Sequence, residues 1–294
     1  MLVFLASALS CGGDVVLTLG QPEPAPVFGD LGRPVASING SADEENPTLT
    51  ADLLEIYFAS NRAGGPGSGD VWCAKRNSRA DAFGGPSLVG TVSTPQAETS
   101  PAISPDGLTL WVGSDRPGGV GDADIWQFER ASRDALWGPG VNVSALNTPR
   151  ADLPRPVAEG GLVMPFASRD EAGLFQTYLA RRVDAAAEFD EVVPLEAVRV
   201  EGSSTSDAFL TEDGLFLFFS RTLDAQGGQL FMTWRTDRRE PFRQPIPLTD
   251  VDTSDDERDP WLDPESTRFF FSSSRRVERR HDIYATTFDV SRFK

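Results

Sequence analysis

Glu98-Thr-Ser-Pro-Ala-Ile-Ser-Pro-Asp-Gly-Leu-Thr-Leu-Trp-Val-Gly-Ser-Asp-Arg-Pro-Gly-Gly-Val-Gly-Asp-Ala-Asp-Ile-Trp126 is the stretch that decides the fold. Short apolar runs lie between turn signals in it, which is the pattern of strands rather than helices. Asp106-Gly107 predicts a two-residue hairpin turn, because such a turn needs positive φ. Gly118-Gly119-Val120-Gly121 predicts a longer loop before the last strand.

The stretch is one copy of a repeat of about fifty residues, and a period of that size points to a repeat architecture. Its first line recurs as Pro47-Thr-Leu-Thr-Ala-Asp52, Pro156-Val-Ala-Glu159, Asp207-Ala-Phe-Leu-Thr-Glu-Asp213 and Pro260-Trp-Leu-Asp-Pro-Glu265. Each copy continues with an apolar burst, then a Ser and an Arg (Ser60/Arg62, Ser114/Arg116, Ser168/Arg169, Ser220/Arg221, Ser273/Arg275), then a second burst. Between copies an aromatic residue, Phe83, Trp137, Phe189 or Phe242, opens a fourth strand, with apolar stretches such as 88–92 and 192–198. A fifth such strand, from Phe28 to Ile38, precedes the first copy, and none follows the last.

That offset predicts an all-β, five-bladed β-propeller of four-stranded antiparallel blades, in which the N-terminal strand completes the C-terminal blade. Closure of this kind removes an exposed sheet edge. Two departures stand out. Pro165 falls inside a second strand, where it removes a ladder hydrogen bond, and the fourth copy begins with Asp207 or Ala208 in place of Pro.

The 294 residues divide into an apolar N-terminal segment (1–11), a Pro-rich spacer (12–27) and the propeller (28–294). Residues 1–10 followed by Cys11-Gly12-Gly13-Asp14 predict a lipoprotein signal with Cys11 as the lipidated residue. An ordinary cleaved signal is the alternative, since no Lys or Arg precedes the apolar run. The alternating prolines Pro22, Pro24 and Pro26 favour an extended spacer.

The net charge of −17 disfavours nucleic acid and adsorption to anionic lipid. Membrane association is therefore expected only through an N-terminal anchor. No cofactor, metal site or catalytic residue is expected. The one histidine, His281, sits beside Asp282 at a strand start, with no Gly-x-Ser-x-Gly elbow in the chain. The Gly-rich loops lack the Lys-Ser and the helix of a phosphate loop, and zinc needs His or Cys ligands that are scarce here.

Arg62 with Asp70, Arg116 with Asp124, and Arg275 with Asp282 flank the loop between second and third strands, and a bidentate pair is expected to staple it. Glu44, Glu98, Asp152, Asp207 and Glu257 precede the first strand of each blade. First strands line a propeller channel, so these acids are expected to ring one mouth and attract a basic partner. The competing expectation is that each acid caps its own turn.

The pattern acid-x-x-Pro-x-Ile-Ser-Pro-Asp-Gly, apolar burst, Ser-Asp-Arg, Gly-rich loop, Asp-Ile-Trp resembles the TolB-like propeller repeats (WD-repeat-like) of bacterial envelope lipoproteins. The resemblance covers nearly all of 28–294. It implies a monomeric protein-binding scaffold in the cell envelope, on the periplasmic or surface side. The alternative expectation is a glycosidase-like five-bladed propeller using channel carboxylates as acid and as base or nucleophile.

Overall fold

A computed structural model describes residues 27–223, 227–276, 278 and 280–289. The proposed signal, Cys11 and the spacer up to residue 26 lie outside the described residues.

The chain forms five antiparallel sheets arranged as the blades of a propeller. Blade 1 consists of Glu44–Leu49, Glu55–Ser60, Asp70–Lys75 and Ser87–Leu88, and blade 2 of Glu98–Ile103, Thr109–Ser114, Asp124–Glu129 and Val141–Asn142. Blade 3 has Asp152–Pro154, Val163–Arg169, Phe175–Arg181 and Glu191–Pro194, and blade 4 has Ser203–Leu210, Phe216–Leu223, Gly228–Trp234 and Ile246–Pro247. Blade 5 takes Glu257–Leu262, Arg268–Ser273 and Asp282–Asp289 from the C-terminal end. Its outer edge comes from the N-terminus: Val27 and Phe28 pair with Asp289 and Phe288, and Arg33 and Pro34 with Ala285 and Tyr284. The predicted closure is therefore present.

The outermost strands are shorter than their apolar stretches suggest, two residues each in blades 1, 2 and 4. Beyond them the chain turns inward, as where Val92 N–H donates to Val89 O (2.9 Å) and buries the Val92 side chain. Very short edge strands offer little template for pairing with another chain.

The first hairpin differs from the expected two-residue turn. Ser104 N–H donates to Thr109 O (2.8 Å) and Gly107 N–H to Ser104 O (2.9 Å), leaving a four-residue loop with Gly107 at φ 77°. Leu53 (φ 62°) and Ser266 (φ 56°) occupy the same left-handed position in blades 1 and 5. A side-chain oxygen at the head of the loop offsets that strain. Thr50, Ser104, Thr211 and Asp263 each accept backbone N–H groups of their own turn.

Pro165 does not break its strand. It stays in register with Leu179, and its carbonyl accepts from Arg155 N–H (3.0 Å).

At the end of the third strands, Arg76, Arg130, Arg182 and Arg235 donate Nε–H to a carbonyl of that turn at 2.7–2.8 Å. Each guanidinium lies over the aromatic residue that opens the fourth strand (Phe83, Trp137, Phe189, Phe242) at 4.3–4.6 Å. This cation–π contact explains why an aromatic residue marks each repeat boundary. Blade 5 uses Phe28 instead, packed on Phe269 and Phe288 at 5.3 and 4.8 Å.

Phe28 is 8% exposed and belongs to the apolar cluster joining blades 4, 5 and 1. Phe28→Ala is expected to cost about 3 kcal/mol or more in urea unfolding, whereas truncating the exposed Leu136 should cost less than about 0.5 kcal/mol.

Candidate functional site

The repeat acids do not ring an open mouth. Glu44, Glu98, Asp152 and Glu257 are at most 1% exposed, and each folds back onto its own turn. Glu98 accepts from Thr94 N–H (2.7 Å), Thr94 Oγ1 (2.6 Å), Ser114 Oγ (2.9 Å) and Arg116 Nη2 (3.1 Å). Glu257 repeats the set with Thr253, Ser273 and Arg275, and Glu44 with Gly40, Ser60 and Arg62. Asp152, one methylene shorter, keeps the Thr148 contacts. Burial raises the pKa of Glu44, Glu98 and Asp152, with the hydrogen bonds opposing it.

These contacts also correct the expected Arg–Asp staples. Arg62, Arg116 and Arg275 pair with Glu44, Glu98 and Glu257 at 2.8, 3.1 and 3.3 Å, not with Asp70, Asp124 and Asp282. Each guanidinium also donates to a carbonyl of the preceding inward turn (Ile38, Val92, Val251) at 2.7 Å. It thereby ties one blade's outer strand to the next blade's inner strand. Asp70 and Asp124 hold the Gly-rich loop through its N–H groups instead, and Asp282 pairs with Arg276 at 2.9 Å. Only Gly fits at Gly65 and Gly119, where a Cβ would collide with those carboxylates.

Asp207 is the acid that does face the channel, and it is not blade 4's copy of the repeat acid. Thr205 holds that place, and Asp207 stands two residues on, at a bulge between Ser206 and Phe209. Asn46, Ser100 and Asp259 occupy the matching bulge positions, and all four have φ of 49–58°. The left-handed kink turns these side chains toward the axis.

There they form a belt. Thr99 Oγ1 donates to Asn46 Oδ1 (3.2 Å), Asn46 N–H to Asp259 Oδ2 (3.0 Å), and Ser272 Oγ to the same oxygen (2.8 Å). Arg155 of blade 3 crosses the axis, its Nη1 lying 3.5 Å from Asp259 Oδ1 and 3.8 Å from Asp207 Oδ1. Burial and the charge of Asp207 hold Asp259 above the usual carboxylate range. Burial acts on Asp207 too, but Arg155 and Ser220 outweigh it and hold Asp207 low.

Above the belt lies the joint between blades 5 and 1. His281 Nδ1 is 3.0 Å from Glu45 Oε1, and Nε2 is 3.2 Å from Asp256 Oδ2. Burial opposes protonation of His281, but Asp256 and Glu45 prevail and raise its pKa. Burial likewise opposes ionisation of Asp256, yet His281 and Arg258 keep it below the ordinary range.

The cavity enclosed at this level measures about 220 Å³. Among the described residues no group of three or more His, Cys, Asp or Glu is placed to hold a metal ion. Arg155, Asn46, Arg258 and Asp259 were not expected as channel residues. The available signal was the mismatch at Asp207 and the Arg155 that directly precedes Pro156 in copy three.

The class defined by fold and channel is a five-bladed propeller with a charged, self-paired axis. No protein-family profile and no curated protein sequence matches the chain. Solved structures do. An endo-arabinase from Bacteroides thetaiotaomicron VPI-5482 aligns with TM-score 0.61 and 13% identity over 90% of this chain and 98% of its own. An α-L-arabinofuranosidase from Podospora anserina gives 0.58 and 11% over 87% and 95%. TolB from Acinetobacter baumannii gives 0.50 and 15% over 85% of this chain, which spans about half (55%) of that TolB. At these identities the likeness is one of fold, and it includes both TolB and glycoside hydrolase propellers.

Two outcomes follow from the geometry. Glu98→Ala strands a buried guanidinium and is expected to lower stability by about 3 kcal/mol, read by thermal or urea unfolding.

The second concerns Asp252, which accepts from Leu230 N–H (2.9 Å) where other blades use the neutral Asn39, Ser93 and Asn147. Burial pushes Asp252 from 3.8 to about 7. The folded state therefore holds the proton more tightly, so this stability is complete below about pH 4 and is lost as pH rises through 7. Asp252→Asn should remove that decline and stabilise the protein at pH 8 by on the order of 1–2 kcal/mol after allowance for screening.

Proposed function

We propose that this chain is a non-catalytic binding propeller that captures a protein partner. The observation that carries the reading is Arg155. Its guanidinium sits between the two channel carboxylates, 3.5 Å from one and 3.8 Å from the other, where a glycosidase would place sugar or water. The enclosing cavity of about 220 Å³ is also smaller than the roughly 300–1,000 Å³ of ordinary ligand sites. The overall charge of −17 favours a basic partner through long-range attraction rather than through the buried repeat acids. The resemblance to TolB-like repeats and the Cys11 motif support a lipid-anchored scaffold in the envelope.

The second reading, a glycoside hydrolase, is favoured by one observation. Asp207, partly buried, and Asp259, fully buried, are neighbours whose proton affinities are driven apart, the arrangement that assigns acid and base roles.

The two readings separate cleanly. The immobilised chain from Gly12 onward should retain a stoichiometric partner from envelope extract, with retention lost at high salt, and should release no sugar from arabinan or aryl arabinofuranosides. Hydrolysis that disappears in a folded Asp259→Asn variant would overturn the scaffold reading.

A further inference from the structure

The channel has a second half with different chemistry. Toward the face carrying the first-to-second-strand turns it opens into a well of about 440 Å³ to which every blade contributes. Its walls are apolar: Leu49, Ile103, Val157, Phe209, Trp261 and Leu262, each less than a tenth exposed. Phe209 and Trp261 pack as a tilted pair at 5.8 Å and present aromatic surface to the interior. Trp261 is 4% exposed.

The lip is acidic. Glu212, Asp213 and Asp263 stand there against one cation, Arg238. That arginine is already engaged, its Nε donating to Asp213 O (2.8 Å) and its Nη1 lying 3.4 Å from Glu159. Asp213 and Asp263 spend oxygens on their own turns, whereas Glu212 is exposed and gives one oxygen to Gly160 N–H (2.5 Å). An apolar, aromatic-walled well of this volume lies within the ordinary range for small-molecule sites. A negative lip over low-dielectric walls favours a cation, and the aromatic faces add cation–π attraction.

We propose that this well is a binding site for a small amphipathic cation, an aryl amine whose ring system fills the well and whose ammonium meets the acidic lip. The site is independent of the protein-partner reading and lies below the Arg155 belt.

The test uses a matched pair of probes with one apolar body, 1-naphthylmethylamine and 1-naphthaleneacetate, titrated into the chain by calorimetry or ligand-observed NMR. The amine should bind at least tenfold more tightly than the acid. Ala51→Trp, which places a large side chain at the lip, should abolish amine binding while near-ultraviolet circular dichroism reports an intact fold. Glu212→Lys, an exposed change that keeps the question open if the first variant fails to fold, should weaken the amine at least fivefold and narrow its preference over the acid. Absence of amine binding at millimolar concentration, equal affinity for the two probes, or binding unchanged in a folded variant of either kind overturns the proposal.

Discussion

A ring of blades persists only if its last member is fastened to its first, and here the fastening is the pairing of Val27–Phe28 and Arg33–Pro34 with Asp282–Asp289. The rest follows from it. Once the chain turns inward after Pro34, Asn39 docks on Ile283 through both backbone groups, at 2.9 and 3.0 Å. Glu44 N–H then donates to His281 O (2.8 Å), which starts blade 1 in register with blade 5. Blades 2 and 3 repeat that step on their predecessors: Glu98 N–H on Gly69 O (2.8 Å), Asp152 N–H on Ala123 O (2.7 Å). The blades share their walls, so the apolar clusters lie between blades rather than within them.

Most of this architecture was legible in the sequence because it depends on residue type at fixed spacing. The phase offset between Phe28 and the last repeat revealed closure. The aromatic residue at each boundary revealed where outer strands begin, although not that an Arg at the end of the third strand is what it serves. The site was less legible. A carboxylate before an inner strand can point to the axis or back to its own turn, and the two differ by a rotation about χ1. The residue four positions earlier was informative: Thr94, Thr148 and Thr253 supply hydroxyl and N–H to an acid that folds back. Asp207 misled because blade 4 uses Thr205 where an acid was sought, and the bulge hides that shift from a linear comparison.

The channel also shows how a chain with a large negative charge carries acid at its centre. Glu45, Asp207, Asp256 and Asp259 sit among Arg155, Arg258 and His281, so acids and bases from blades 1, 3, 4 and 5 meet one another. Arg155 is the member without a substitute: removing it leaves Asp259 and Asp207 without the guanidinium they share, which costs more than the pair contributes. Such a cluster links side chains of four blades at one level of the channel.

The way blade 5 is finished has a mechanical meaning. Its outer edge is made of short pieces joined to the terminal strand by a handful of backbone bonds, with Phe28 seated among Phe269 and Phe288. A pull applied at Val27 across the strands would load those bonds one after another, as a zipper opens, instead of all at once. If the segment before Val27 tethers the body to a surface, that blade is the part of the ring through which tension enters, and its aromatic plug sets how much tension the ring withstands before it opens.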